Sequence, residues 1–595
     1  MLAAGSAAAG EQSVQAQATV AVVQVDGGYQ LTRNGEPYRI RGVGGDSHLA
    51  DLVDAGANSI RTWGAEQLEK TLDEAHRHGL TVCAGLWVAH ERHGFDYSDG
   101  AAVRKQHEEL VAAVRRYKDH PAILLWGVGN EMEGDGNNPA VWQAVNAIAR
   151  DIKRIDPAHP TMTVIAELGE NENKLKNLHR FCSDIDIVGV NSYGGIPTLA
   201  ARYKKSGVAR PYIVTEHGPV GPWETEKTAW GSPVEATSTA KGKAYASGYR
   251  AAVTEQPALC LGSYAFLWGH KQETTATWFG MLLADGTRLA AVDAMTTAWT
   301  GSPPANRCPQ IESLRVDRTN NLKPGDKIKA SVSTADPEGD ELIIKWVLRS
   351  DSGTVGVGGD AQDQESTIGK SVLAEGQQAV VTVPERDGAY RLFAYVYDGN
   401  GGGAVANVPI SVGSAGTASA MAAPRARLPF VVYGDGADQT VYVPSGYMGN
   451  AGAVSMKADS TNRPHSGRTC LKVDYRSTAD WGGVLWQSPA NDWDGSKPGG
   501  ADLSGAAQLE FWARGSQGGE TVNFVFGVID GQQPFRDTAR GELKDVKLTT
   551  EWNRYTMPLN GNDLSRIKTG FGWSLAAQGK PVTFYLDDIR YVAAE

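Results

Sequence analysis

Between about residue 22 and residue 301 the chain alternates two hydrophobic patterns. Short apolar runs read as strands buried on both faces, and stretches with an apolar residue every three or four positions read as helices with one buried stripe. Eight apolar runs can be marked: YRIRGVGG (38–45), NSIRTW (58–63), LTVCAGLWV (80–88), AILLWGVGN (122–130), TMTVIAE (161–167), IDIVGVNSY (185–193), PYIVTEHG (211–218) and LGSYAFLW (261–268). Between the second and third, Leu68, Leu72 and Ala75 share a helix face and Gly79 stops the helix. After the fourth, Val141, Val145, Ile148, Ile152 and Ile155 line another face, and Asp156-Pro157 closes it. Strand–helix alternation repeated eight times predicts a (β/α)8 TIM barrel, whose chemistry belongs at the C-terminal ends of its strands.

Past GSPPANRCP (301–309) the helical period disappears. Short alternating runs such as KIKASVST, LIIKWVL and YRLFAYVYD predict an Ig-like β-sandwich, and the segment from Leu428 onward, closing on TFYLDDIRY, predicts a second, jelly-roll sandwich. The expected organisation is therefore an N-terminal tail at 1–21, the barrel at 22–305, the Ig-like sandwich at 306–413, a linker at 414–427 and the jelly roll at 428–595. The small residues of SAGTASAMAAP (414–424) bury too little area to fold, which is why the linker is placed there.

Composition narrows the partners. Of 595 residues, 57 are basic and 68 acidic, giving a formal charge of -11 without a long run of one sign. That pattern argues against nucleic acid or an anionic membrane and favours a neutral carbohydrate. The 16 tryptophans and 70 glycines suit β-rich domains that meet sugar rings. The five cysteines (Cys83, Cys182, Cys260, Cys308, Cys470) form no C-x-x-C and no even framework, so they read as inert core thiols. No apolar stretch of about 18 residues is present, so no membrane span is expected. The tail ends its polar, small-residue stretch in AQA, like the remnant of a secretory signal, and places the protein in a secreted or periplasmic setting.

The fourth run ends WGVGNEME, with Asn130 and Glu131 emerging at the strand's C-terminal end. The seventh ends YIVTEHGP and puts Glu216 at the same mouth. Strands four and seven lie three apart around an eight-strand ring, so the two carboxyls face one another across a sugar-sized gap. A separation of about 5–5.5 Å suits retaining glycoside cleavage. Glu131 is the expected acid, since a neighbouring carboxylate raises its pKa. Glu216, held by Arg61 from strand two and the hydroxyl of Tyr193 from strand six, is the expected nucleophile.

The motifs GYQLTRNGEPYRIRGV, GANSIRTW, KDHPAILLWGVGNE, NSY, VTEHG and SYAFLW together resemble the clan A glycoside hydrolases, above all the barrel of family 2 and the related families 5 and 72. That resemblance covers residues 22 to about 301. It implies Glu131 as acid/base, Asn130 as a ligand of the sugar 2-hydroxyl, Glu216 as nucleophile, Arg61 and Tyr193 as its holders, and Trp268 as an aromatic platform under the sugar in subsite −1. One departure matters: family 2 enzymes carry sandwich domains before the barrel, whereas here the barrel comes first, so a β-galactosidase or β-glucuronidase assignment does not follow. WGGVLW (481–486), LEFWARG (509–515) and YLDDIRY give the C-terminal unit a resemblance to carbohydrate-binding jelly rolls. Such modules often hold a structural calcium, and Asp435 and Asp588 are the candidate ligands.

Further candidates for substrate contact near strand ends are His90, His217, Trp223 and Glu273, with His48, His270, Trp87 and Trp278 behind them. AHERHG (89–94) lacks the H-E-x-x-H spacing, so no zinc site is expected and catalysis needs no cofactor. The expected function is a retaining β-glycosidase acting on a neutral poly- or oligosaccharide, with β-glucan as first choice. A transglycosylase would use the same residues, a sugar hydroxyl replacing water. A non-catalytic carbohydrate-binding protein is the rival from another class, and loss of either carboxylate would favour it; both are present.

Overall fold

The structure is a computed structural model that describes residues 18–351, 362, 365–369, 371–413, 423–434, 441–495, 497–530 and 535–593. Its first half is a closed barrel of eight parallel strands: β4 (Ile40–Gly44), β5 (Ser59–Arg61), β6 (Thr81–Leu86), β7 (Ile123–Asn130), β8 (Thr161–Ala166), β9 (Ile187–Asn191), β10 (Tyr212–His217) and β11 (Cys260–Ala265). Each follows its neighbour in chain order, and β11 closes the ring on β4. The apolar runs were long enough to be buried on both faces, and every residue of β7 is buried. Each predicted run contains one strand, but all the strands except β7 end earlier, so Trp63, Tyr193 and Trp268 stand just beyond them.

The outer helices follow the predicted stripes. Leu68–Arg77 buries Leu68, Leu72 and Ala75, and Gly79 follows at φ 71, a left-handed turn that a side chain would resist. Pro139–Ile155 opens with Pro139 in its first turn, and Asn138 Oδ1 accepts from Ala140 N at 3.0 Å, a cap worth about 1 kcal/mol. Its end is tied to the barrel: Asp156 Oδ2 accepts from the buried indole of Trp126 at 2.8 Å.

An element outside the eight predicted runs lies at the barrel's base. β1 (Val20–Val25), β2 (Gly28–Arg33) and β3 (Glu36–Pro37) form an antiparallel ribbon, so the first strand begins inside the stretch assigned to the tail. Val20 and Leu31 pack with the interior residues Ile40, Leu124, Met162, Ile187 and Ile213, which closes the N-terminal end of the barrel.

Two sheets follow, β12 (Gln310–Val316), β13 (Lys327–Ala335), β16 (Gln378–Thr382) and β15 (Val372–Glu375) in one, and β14 (Ile343–Ser350), β17 (Gly388–Tyr397) and β18 (Gly403–Val412) in the other. Their inner faces share a core that includes Ile328, Trp346, Leu392 and Val412. This sandwich is joined to the barrel: Val405 N donates to Ser238 Oγ at 2.9 Å and Ile311 N to Thr239 Oγ1 at 2.8 Å. Most of the expected linker, 414–422, lies outside the described residues. The C-terminal unit packs a five-stranded antiparallel sheet and a six-stranded one around Trp486, Phe511, Phe571, Trp573 and Phe584. All five cysteines are buried and unbridged.

Candidate active site

Glu216 sits near the end of β10 with both carboxylate oxygens supplied with donors. Arg61 Nη1 and the Trp63 indole each donate to Oε1 at 2.9 Å, and the Tyr193 hydroxyl donates to Oε2 at 2.8 Å. Burial, and then the nearby Glu216 charge, push the Tyr193 phenol well above its ordinary range, so it keeps the proton it donates. Arg61 is itself buried and spends its other donors on Thr215 O at 3.0 Å and Asn130 Oδ1 at 2.6 Å.

Glu131 follows β7 where the backbone leaves strand geometry. Gly129 has φ 81 and Glu131 φ 52, and for a residue with a side chain the latter costs on the order of 1 kcal/mol. The twist brings Asn130 and Glu131, adjacent in sequence, into one hydrogen-bond network. Asn191 Nδ2 donates to Glu131 Oε1 at 2.7 Å and to Asn130 Oδ1 at 3.1 Å, and Thr215 Oγ1 fixes the Asn191 amide at 2.8 Å. Burial pushes the Glu131 pKa up to about 7, with Glu216 as the second cause and the Asn191 hydrogen bond opposing both. The neighbouring carboxylate, expected from sequence to be the main cause, is therefore secondary to desolvation.

One half-buried carboxyl with a raised pKa lies within electrostatic reach of another that accepts three donors, both at the C-terminal mouth of a parallel barrel. Residues 46–221 match the family described as Glycosyl hydrolases family 2, TIM barrel domain, and residues 431–593 match Carbohydrate binding domain 30. Over residues 46–221 the barrel is similar to the glycoside hydrolases of family 2. Among curated relatives, a β-glucuronidase of Bacteroides fragilis is 28% identical over 120 residues, 20% of this chain and 17% of that protein. The β-glucuronidase of Rattus norvegicus is 30% identical over 142 residues, 23% of this chain and 20% of its own length. The matches thus span about a fifth of these relatives. A solved β-D-glucuronidase of Dictyoglomus thermophilum superposes with a TM-score of 0.38 at 18% identity, covering 48% of this chain and 54% of that one.

In this barrel the remaining candidates separate. Trp268 is 2% exposed, belongs to the barrel's main core and donates its indole to Ser47 O at 2.8 Å. The aromatic ring near the end of β11 that meets Tyr193 is Phe266, at 6.0 Å between centroids, within a cluster that also holds Trp63, Trp278 and Phe279. His217 alternates away from Glu216 along β10 and packs on Tyr245 and Tyr249, fully buried, with Nε2 at 3.2 Å from Ser263 Oγ. Burial pulls its pKa down to about 3, so it is a neutral core residue and not a substrate contact.

His90 is buried after β6, stacked between Trp87 and His93. Trp223 remains 46% exposed and meets Tyr193 edge-on at 5.6 Å, as a sugar platform at the rim would. Glu273 is buried, pairs with Lys271 at 2.8 Å and acts electrostatically on Tyr193. Trp278 donates to Val220 O at 3.0 Å and packs in the cluster around Tyr193. His48 precedes the short helix Leu49–Asp54, and His270 is exposed after β11. Asp435 lies outside the described residues; Asp588 takes His465 Nδ1 at 2.7 Å and Ser466 Oγ at 2.9 Å. Among the described residues, the carboxylates close enough to share a cation are Asp336, Asp340 and Asp398, in the Ig-like sandwich.

Trp63 and Asn191 were missed as site residues. The signal was present: each lies two positions from a predicted one, Arg61 or Tyr193, within the same predicted run.

Proposed function

We propose that the protein hydrolyses β-glycosides with retention of configuration. Glu216 attacks the anomeric carbon while Glu131 gives its proton to the departing glycosidic oxygen; a water then replaces the leaving group, Glu131 takes its proton, and the oxygen attacks the glycosyl-enzyme to release the sugar and free Glu216. The observation that carries this reading is the asymmetry of the two carboxyls. Glu131 is desolvated and protonated up to about pH 7, whereas Glu216 is aimed by three hydrogen-bond donors.

For the sugar, the curated β-glucuronidases support a β-D-glucuronide. A neutral β-glucan, expected from sequence, is the second reading, favoured by the carbohydrate-binding match at 431–593 and the exposed Trp223. Secretion belongs to the same proposal and rests on residues 1–19, of which 1–17 lie outside the described structure. The test is hydrolysis of aryl β-glucuronides, β-glucosides and β-galactosides followed by proton NMR from the first turnovers, with and without acceptor sugars. The β-anomer must appear first; a first-formed α-anomer overturns the mechanism. New glycosides in the acceptor arm would identify transglycosylation.

A further inference from the structure

The segment after β11 carries Glu273, Thr275, Thr277, Trp278 and Phe279 along the aromatic cluster, yet its polar anchors lead out of the barrel. Thr275 Oγ1 donates to Glu235 Oε2 at 2.6 Å and Thr277 Oγ1 to Glu235 Oε1 at 2.8 Å. Lys241 Nζ donates to Glu235 Oε1 at 2.5 Å and to Thr277 O at 2.7 Å. Glu235 and Lys241 are both 6% exposed, so they are an ion pair cut off from bulk water.

The next donor to Glu235 comes from the Ig-like sandwich. Asn407 Nδ2, on β18, donates to Oε2 at 2.6 Å. Arg391, on β17, fixes the other end of that amide by donating to Asn407 Oδ1 at 2.7 Å, and spends a second nitrogen on Asp351 at 2.9 Å and on Pro233 O at 3.0 Å. A separate tie runs from Thr274 N to Gln362 Oε1 at 2.7 Å. Two acids and two bases thus balance inside the barrel–sandwich junction. A buried network of this kind fixes register more than it adds stability, because any displaced member leaves a desolvated charge behind.

What this register sets is the wall behind the nucleophile. The Phe279 ring lies 5.1 Å from Tyr193 and 5.5 Å from Phe266, and the Tyr193 hydroxyl donates to Glu216. Resting on the reading of Glu216 as nucleophile, we propose that the Ig-like sandwich is a working part of the active site. Asn407 is a positioning residue: through Glu235 it holds the 273–279 segment, and through Phe279 that segment holds the Tyr193 phenol on Glu216. A shift of a fraction of an ångström at such a wall is enough to misplace a reacting group.

The experiment uses the full chain with Asn407→Leu, which keeps size and removes both amide contacts, and Gln362→Ala, which leaves the buried network whole. Hydrogen–deuterium exchange reads the segment without any substrate. Peptides spanning 273–279 should exchange at least tenfold faster in Asn407→Leu and about threefold faster in Gln362→Ala, with β7 and β10 unchanged. On an aryl β-glycoside, kcat should fall about tenfold in Asn407→Leu with KM within twofold. Unchanged exchange over 273–279, or faster exchange spread evenly over barrel and sandwich, overturns the proposal, as does a tenfold looser segment with unchanged kcat. A wild-type protein inactive on every aryl glycoside would strike down the catalytic reading alone, since the exchange result judges the clamp independently.

Discussion

Asn191 Nδ2 stands 2.7 Å from Glu131 Oε1 and 3.1 Å from Asn130 Oδ1, so a single amide serves both polar side chains at the end of β7. It opposes the upward push of burial on the acid more than the other lowering group, the Lys174 charge. Asn191→Ala should therefore raise the Glu131 pKa. The basic limb of the kcat/KM profile should move up by about one pH unit, roughly 1.4 kcal/mol, while activity at the optimum falls about tenfold. A basic limb that stays in place would show that Asn191 does not act on the proton.

In the unmodified protein the same limb follows from the sign of the shift. Glu131 must be protonated to act as acid, and its pKa is pushed up to about 7, so activity should fall as pH rises through about 7. The ionised carboxylate is the form disfavoured by burial. The stability contributed by the protonated acid is thus fully present below the ordinary glutamate pKa and lost as pH rises through 7. Kinetics in Glu131→Gln on an activated aryl glycoside, whose departure needs no acid, should lack the basic limb.

Trp63 donates to the oxygen of Glu216 that also takes Arg61. Trp63→Phe keeps a ring against Phe266 but removes this donor. The change should lower kcat about tenfold with little effect on KM, and should leave Tm within a few degrees. A large rise in KM with normal kcat would instead make Trp63 a substrate-binding residue.

Legibility from sequence followed periodicity. The barrel strands are long apolar runs and the helices carry clean three-to-four spacing, so both could be marked; Asn130, Glu131, Arg61, Tyr193 and Glu216 came with them as polar residues ending apolar runs. Trp268 and His217 failed for the opposite reason. Sequence proximity to a strand end does not say which way a side chain turns, and Trp268 turns into the core while His217 alternates to the helix side. The junction of Glu235 with Asn407 was beyond reach, because its partners lie 172 positions apart, one in a barrel loop and the other on β18 of the sandwich.

The two sandwiches should differ under truncation. The C-terminal unit has its own core around Trp486 and Trp573 and approaches the barrel through exposed groups, with Lys457 acting on Asp99. Removing residues 428–595 should leave turnover of short soluble glycosides within about twofold and reduce the rate on long polymer, where tethering raises effective concentration. Removal from residue 306 onward should expose the Glu235–Lys241 pair and abolish activity on every substrate. Equal losses from both truncations would contradict this division.

Double displacement at Glu216 is tested most directly by covalent trapping. The protein is incubated with cyclophellitol aziridines in glucose, galactose and 6-carboxylate forms, digested, and its peptides sequenced by mass spectrometry. A single adduct on Glu216, absent from Glu216→Ala and formed only with the form matching the hydrolysed glycoside, is the predicted result. An adduct on Glu131 or elsewhere, or an unlabelled protein that hydrolyses its glycoside with inversion, would contradict it.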